Sequence, residues 1–319
     1  MHDSFGQYDD LLQVAGAYAR DSVSLRSDVA AMIFPRAFTP PSEALIADIS
    51  NKFSQLIADI EREISREGAA VSSALPALLQ SGLQRDPALL DFLLARNAEQ
   101  QLEMRLAKNS DISLSETLPA VLLASADHNI AEAAQTLLAI SSLNRRKASL
   151  KWRSLPPELL HRLCWRIVSA LDTGDKEAER QKVQDLLSSY NENQTAANAA
   201  RKLTHMLGDE HQADKQSAAK AGLALFVAEL ADMTLLSQDQ IYRLLDLPSI
   251  SPFAVIQRAA ELQAEAAMEN IRSLFGFDQL TPRDINLFES GFNSLSIEDA
   301  KAAVSMWHSE SNLQAGGSV

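Results

Sequence analysis

His161-Arg162-Leu163-Cys164 puts an imidazole and a thiol three residues apart. On one helix face that spacing supplies half of a tetrahedral metal site. No CxxC or HxxxH pair supplies the other half, and Cys164 is the only cysteine. The neighbours Leu159, Leu160, Leu163, Trp165, Ile167 and Val168 are those of a packed face. The expectation is therefore a core cysteine beside a surface or capping histidine, with no metal. His205 and His211 flank Gly208-Asp209-Glu210, and histidine near carboxylate is material for a general base or a ligand. The same letters describe a helix end: His205 in the last turn, Gly208 as cap, then a polar loop. The helix end is the preferred reading.

The remaining chemical patterns are weaker. There is no GxxxxGK[ST] loop, no GxGxxG and no GxSxG elbow. Gly291-Phe292-Asn293-Ser294-Leu295 resembles the Asp-Ser-Leu site of acyl carrier proteins, but Asn stands where the Asp belongs, and Ser294 reads better as a helix N-cap. Residues 238–261 read as helix, turn, helix, yet between Pro252 and Glu265 the only cation is Arg258, which a DNA-recognition helix could not rely on. No catalytic residue, cofactor or metal ligand is nominated, and the expectation is a non-enzyme.

One charged pattern stands out. Arg145, Arg146, Lys147, Lys151 and Arg153 place five cations within nine residues of an acidic chain. As a site they would dock an acidic partner, anionic lipid or nucleic acid. As structure they would complement the C-terminal dipole of the preceding helix and solvate a linker. They are the candidate docking residues, with the structural role preferred.

Composition sets the frame for these residues. The chain has 319 residues, 46% hydrophobic and 22% charged, with 11 glycines and 11 prolines. Ala and Leu dominate the apolar set, which favours helix because both lose little side-chain freedom there. The net charge of −13 repels polyphosphate on average, so a nucleic-acid partner is disfavoured. A single cysteine points to a reducing compartment. Met1-His2-Asp3-Ser4 lacks the basic and apolar regions of a secretory signal, and no run approaches a membrane span. The expectation is a cytoplasmic bacterial protein without membrane attachment.

The elements follow from apolar spacing. Helices are expected at 8–31, 42–67, 73–81, 86–107, 115–125 and 128–143. A second set is expected at 157–171, 176–190, 194–207, 215–232, 237–245, 253–275, 281–290 and 295–308. In 42–67, Leu45, Ile46, Ile49, Phe53, Leu56, Ile57, Ile60 and Ile64 form one stripe, with Glu61, Arg62, Glu63, Arg66 and Glu67 opposite. Gly68 would cap it. Ser237 to Gln240 is a capping box. Short connections between amphipathic helices suggest a HEAT-like α-solenoid or helical hairpins over 1–150. The basic run and Pro156-Pro157 would separate these from a compact helical bundle over 155–310, and 311–319 would be a disordered tail. The second core is expected around Leu223, Leu225, Phe226, Leu230, Leu244, Phe253, Ile256, Ile271 and Leu274.

The stretch Leu155 to Trp165 resembles an uncharacterised bacterial family, domain of unknown function 2336. So do Ala224 to Leu230, Tyr242 to Asp246 and Ala259 to Leu262. The resemblance covers residues 40–308. It implies a helical, HEAT-like fold in a cytoplasmic bacterial protein and carries over no catalytic residues.

An all-α chain without reactive groups fits an adaptor or regulator that binds a protein partner on a helical-repeat surface. Two alternatives stay open. One is a nucleic-acid-binding repeat protein using 145–153, and the other is an enzyme or small-ligand protein whose site the sequence hides. Self-association through the first two helices, as a homodimer, is also open.

Overall fold

The computed structural model describes residues 11–17, 42–65, 73–146, 150–171, 176–247, 249–276 and 280–316. Among the described residues there are 17 α-helices, joined by short 3-10 turns, and no strand. The all-α class follows from the Ala- and Leu-rich composition. The helices are α1 (11–17), α2 (Glu43–Ile64), α3 (Leu75–Gln80), α4 (Pro87–Asn109), α5 (Leu118–Val121) and α6 (His128–Arg146). Then come α7 (Pro157–Ala170), α8 (Lys176–Ser189), α9 (Ala196–Leu207), α10 (Gln212–Lys215), α11 (Ala218–Ala221) and α12 (Leu223–Thr234). The last are α13 (Gln238–Leu245), α14 (Ser251–Ala259), α15 (Ala264–Phe275), α16 (Pro282–Gly291) and α17 (Ile297–Gly316).

The chain divides into two compact units, and neither is one continuous segment. The first comprises Met1–Leu25, Ala95–Leu138 and Ala200–Val319, and the second comprises Arg26–Leu94 and Ala139–Ala199. Among the described residues the chain passes between them inside α4, α6 and α9. The segment 145–157, expected to separate two domains, lies within the second unit. The physical reason is Asp59, on α2. Its carboxylate accepts from the Trp152 backbone N–H at 3.1 Å and from Lys151 Nζ at 2.8 Å, so the end of the basic run is tied down.

In the second unit, α2 is capped by Ser42, whose hydroxyl accepts from Leu45 N at 3.2 Å. Its apolar stripe is buried from Ile49 to Ile64. The expected solvated side holds for Arg62 and Glu63, but Glu61 is buried. Its carboxylate accepts from Ala74 N at 2.6 Å, which secures the start of α3. Burial pushes its pKa up, and that hydrogen bond offsets part of the rise. Arg66, Glu67 and Gly68 lie outside the described residues, as do 8–10 and 18–31 of the expected first helix. Consecutive helices α7 and α8 pack together, and α7 also packs on α2 and α3.

In the first unit the core forms around α14. It packs against α12, α15 and α17, and every residue but Arg258 is buried. Phe226 meets the Phe253 ring edge-on with centroids 6.1 Å apart. All nine residues expected to form this core are buried. Three helices expected to be continuous are broken, among them 115–125, which falls into a 3-10 turn, α5 and a second 3-10 turn. The span 215–232 falls into α10, α11 and α12, because Gly222 has φ 74° and the amide and carbonyl freed at the first break are taken by Asn270. Asn270 Oδ1 accepts from Ala218 N at 2.8 Å, and its Nδ2 donates to Gln216 O at 2.8 Å. The span 253–275 breaks at Glu261, which adopts φ 61°. There Glu261 N donates to Arg258 O and Leu262 N to Gln257 O, the bond pair of a Schellman termination without its usual glycine.

At the C-terminal end, helical backbone extends to Gly316, through part of the tail expected to be unstructured. Asn312-Leu313-Gln314-Ala315 contains no breaker, so the helix runs on to the glycine pair. Ser296, not Ser294, opens α17 by accepting from Asp299 N at 3.0 Å. Ser294 instead donates to Ser290 O.

Candidate interaction surfaces

Pro157 starts α7 at a position where a missing N–H costs nothing. Leu159, Leu160, Leu163, Cys164, Ile167 and Val168 then turn inward. Helical period leaves Glu158, His161, Arg162, Arg166 and Ser169 exposed, with Trp165 half-buried among them. His161 and Cys164 therefore go to different sides and cannot share a metal. Burial pushes the Cys164 thiol up to about 12, which keeps it a thiol at neutral pH. Trp165 Nε1 donates to His161 Nε2 at 3.0 Å, so the neutral imidazole carries its proton on Nδ1. Arg162 Nη2 reaches Asp86 Oδ1 at 3.0 Å.

Of the basic run, the side chains of Lys151 and Arg153 are described. Arg145 and Arg146 are the last two residues of α6. The placement of their side chains and the whole of Lys147 lie outside the described residues. Lys151 is paired with Asp59 at 2.8 Å. Arg153 lies with its guanidinium 5.1 Å from the centre of the Trp152 ring. Of the five candidate docking residues, Lys151 and Arg153 serve the packing of residues 151–155.

His205 and His211 are on the surface, each loosely beside a carboxylate. His205 Nε2 is 4.0 Å from Asp232 Oδ1, and His211 Nδ1 is 3.8 Å from Asp214 Oδ2. The two make no joint site. Gly208 ends α9 with φ 50°, in the role expected of it. Among the described residues no group of three His, Cys, Asp or Glu is placed to hold a metal ion. In the helix-turn-helix candidate, α14 is buried and Arg258 Nε donates to Leu295 O at 2.8 Å, so it offers no face to a DNA groove.

Two polar networks escape the sequence reading. In the first unit, Arg96 bonds Glu99 Oε2 at 2.6 Å and Asp239 Oδ1 at 2.5 Å, with its guanidinium 5.2 Å from the Tyr242 ring centre. Desolvation raises the pKa of Glu99 and pushes that of Tyr242 well up. One helical turn past Tyr242, Arg105 pairs with Asp246 at 2.9 Å. In the same unit Lys215 and Glu229, both almost wholly buried, lie 3.0 Å apart. Gln212 Nε2 donates to the same carboxylate, and Lys215 Nζ donates to Gly208 O. The i,i+3 spacing of Arg96 and Glu99 was a signal, but their partners lie more than 100 residues away.

Three of the exposed large apolar side chains lie in one segment, with Leu79, Met104, Leu235 and Met306 elsewhere. Between Ser113 and Ala124 a 3-10 turn, α5 and a second 3-10 turn follow without a full helix. Leu114, Val121 and Leu123 are 59%, 56% and 49% exposed. The segment itself is well capped, with Ser113 and Glu116 forming a reciprocal capping box. Leu235 is 79% exposed and holds a left-handed φ of 62°.

Charge divides between the units. Among the described residues the second unit has 12 Lys and Arg against 12 Asp and Glu, while the first has 12 against 21. No helix among the described residues is long and apolar enough to cross a membrane. No protein-family model, curated protein or solved structure matches the chain.

Proposed function

We propose that this protein is a non-enzymatic adaptor or regulator of the cytoplasm that binds a protein partner through its helical surface. The observation that carries the reading is the 113–124 segment. Three large apolar side chains within ten residues are held to solvent by a firmly capped backbone, where burial of each would be worth roughly 1.5–3 kcal/mol. Clustered exposure of this kind marks interaction sites rather than ordinary surface. Leu235 adds a second exposed anchor. Consecutive packing of α7 on α8, α12 on α13 and α14 on α15 supports a helical-repeat surface. The text resemblance of Leu155 to Trp165 to the domain of unknown function 2336 family belongs to the same proposal.

The test compares wild type with a variant carrying Leu114→Ser, Val121→Ser and Leu123→Ser. Both are tagged, cross-linked in native cytoplasm, captured, and read by mass spectrometry. A stoichiometric protein held by wild type and lost from the variant, at equal melting temperature, is expected. Identical recovery with both, or recovery of nucleic acid in place of protein, would overturn the reading.

A further inference from the structure

We infer that the outer side of the 113–124 segment is a docking surface for a cationic amphipathic helix of the protein partner. The inference rests on the adaptor reading and names the chemistry of that partner. The segment is held to its own unit from beneath: Thr117, Leu118, Pro119 and Leu122 are buried, and α5 packs on α11. Leu114, Val121 and Leu123 are left on the outer side. At roughly 1.5–2.0 Å per residue, the stretch from Leu114 to Leu123 runs under about 20 Å, the length of three to four turns of a docked helix. Its backbone hydrogen bonds close locally: Glu116 N donates to Ser113 O, Ala120 N and Val121 N to Thr117 O, and Ser125 N to Leu122 O. An extended partner segment therefore finds no sheet edge to add to, whereas a helix brings its own backbone bonds satisfied and offers only side chains.

Charge selects the sign of that helix. From Asn109 to Asn144 the chain carries no Lys or Arg, while Asp111, Glu116, Asp127 and Glu132 bracket the three apolar side chains. All four acids are exposed, and among the described residues none is ion-paired. Hydrogen bonds from Ser113 hold the Glu116 carboxyl below its ordinary range, so it stays charged. The one cation of α11, Lys220, is taken by Asp214 at 3.0 Å. The unit as a whole holds 12 Lys and Arg against 21 Asp and Glu, so nothing in its wider field reverses the local sign. An apolar stripe edged by Lys or Arg complements both features, with the leucines and valine as the core of the contact and the acids as its rim. A second copy of the chain would bring the same acids. Anionic lipid and nucleic acid would bring phosphates, which this surface repels.

The experiment titrates the full chain with two labelled synthetic helices, read by fluorescence anisotropy at about 0.1 M salt, where exposed charges more than roughly 10 Å apart are screened. One peptide has a leucine stripe edged by lysines, the other the same stripe edged by glutamates. The lysine peptide is expected to bind, and the glutamate peptide to bind at least about tenfold more weakly. A variant with Asp111→Asn, Glu116→Gln, Asp127→Asn and Glu132→Gln keeps the local caps, because glutamine serves in a capping box and asparagine still accepts from Asn129 N. It is expected to weaken the lysine peptide at least about fivefold, with the circular dichroism of wild type. Glu210→Gln, Glu265→Gln, Glu289→Gln and Glu298→Gln together remove the same charge from exposed acids elsewhere on the unit. That variant is expected to change binding less than about twofold. Equal loss in the two charge variants would overturn the inference, because the field of the whole unit would then be the attractant. So would equal binding of the two peptides, or lysine-peptide binding untouched in the Leu114, Val121 and Leu123 variant. Self-association of the free chain that the apolar variant abolishes would place a second copy here and overturn it too. Capture from native cytoplasm separates the two proposals. A partner retained by the charge variant at 111–132 and lost from the apolar variant overturns this inference and leaves the adaptor reading standing. Absence of any stoichiometric partner overturns the adaptor reading.

Discussion

Arg105 Nη2 lies 2.9 Å from Asp246 Oδ1, and Asp246 is the C-cap of α13. A carboxylate there faces the negative end of the helix dipole, so the position is unfavourable to its charge. With Arg96 on Asp239, the pair fastens α4 to α13 in parallel: the lower-numbered cation meets the lower-numbered acid at each end. Burial pushes the Asp246 carboxyl up to about 6, and Arg105 only moderates the rise.

The pH consequence has a definite sign. The folded state binds the Asp246 proton more tightly than the unfolded chain does. Its stabilising contribution is full below the ordinary value of 3.8 and is lost as pH rises through about 6. Urea titrations of wild type and Asp246→Asn from about pH 4 to pH 8 should show wild type losing about 3 kcal/mol relative to the variant. A constant difference across that range would show that Arg105 fully compensates the buried charge.

Among the described residues Lys215 and Glu229 form the most buried ion pair, at 2% and 4% exposure. Removing one partner leaves the other charge desolvated. Lys215→Ala should cost about 3–5 kcal/mol, while Lys215→Met with Glu229→Leu should recover most of it. Chemical denaturation of both variants checks this. Equal loss in both would place the effect in the Lys215 bond to Gly208 O instead.

How much of this was legible in the sequence depends on range. The Ser42 cap, the Asp86 start of α4, the Ser237 to Gln240 box and the Gly208 stop are local hydrogen-bond patterns, and the chain spells them out. The helix breaks at 216–217 and 260–263 were not legible. The first is stabilised by Asn270, more than 50 residues away, and the second places Glu261 in a conformation its side chain does not favour. The division into units was hidden for a similar reason. Pro156-Pro157 looks like a boundary, but Asp59 binds the chain just before it, and nothing in α2 marks that residue as different from its solvated neighbours. The exposed face of α7 was readable as the complement of its apolar stripe. Its balance of charge against the rest of the chain required the three-dimensional grouping.

Asp59 yields a contrast between a buried acceptor and its partly exposed partner. It accepts from Trp152 N, Lys151 Nζ and Arg62 Nη1 at 3.1, 2.8 and 3.1 Å. Asp59→Ala strands a buried backbone N–H and should cost about 2–3 kcal/mol. Lys151→Ala, whose side chain is 44% exposed, should cost under about 1 kcal/mol. Thermal melts of the two variants check the ratio. Equal costs would show that the basic run, and not the buried amide, holds residues 151–155 against α2.

Leu235 joins two unfavourable features in one residue. Its backbone is left-handed at φ 62°, and its side chain is 79% exposed. The first costs a non-glycine residue roughly 1–2 kcal/mol, and the second forgoes burial that the adjacent Leu236, 3% exposed, achieves. Leu235→Gly removes both, and glycine's greater freedom in the unfolded chain takes back part of the gain. The net expectation is a stabilisation of about 0.5–1 kcal/mol, read as a higher melting temperature. Leu235→Ala keeps the strained backbone and should leave stability near wild type. If both variants bind the captured partner less well than wild type, the side chain is an anchor whose backbone strain is retained for binding. If binding is unchanged in both, Leu235 does nothing but terminate α12.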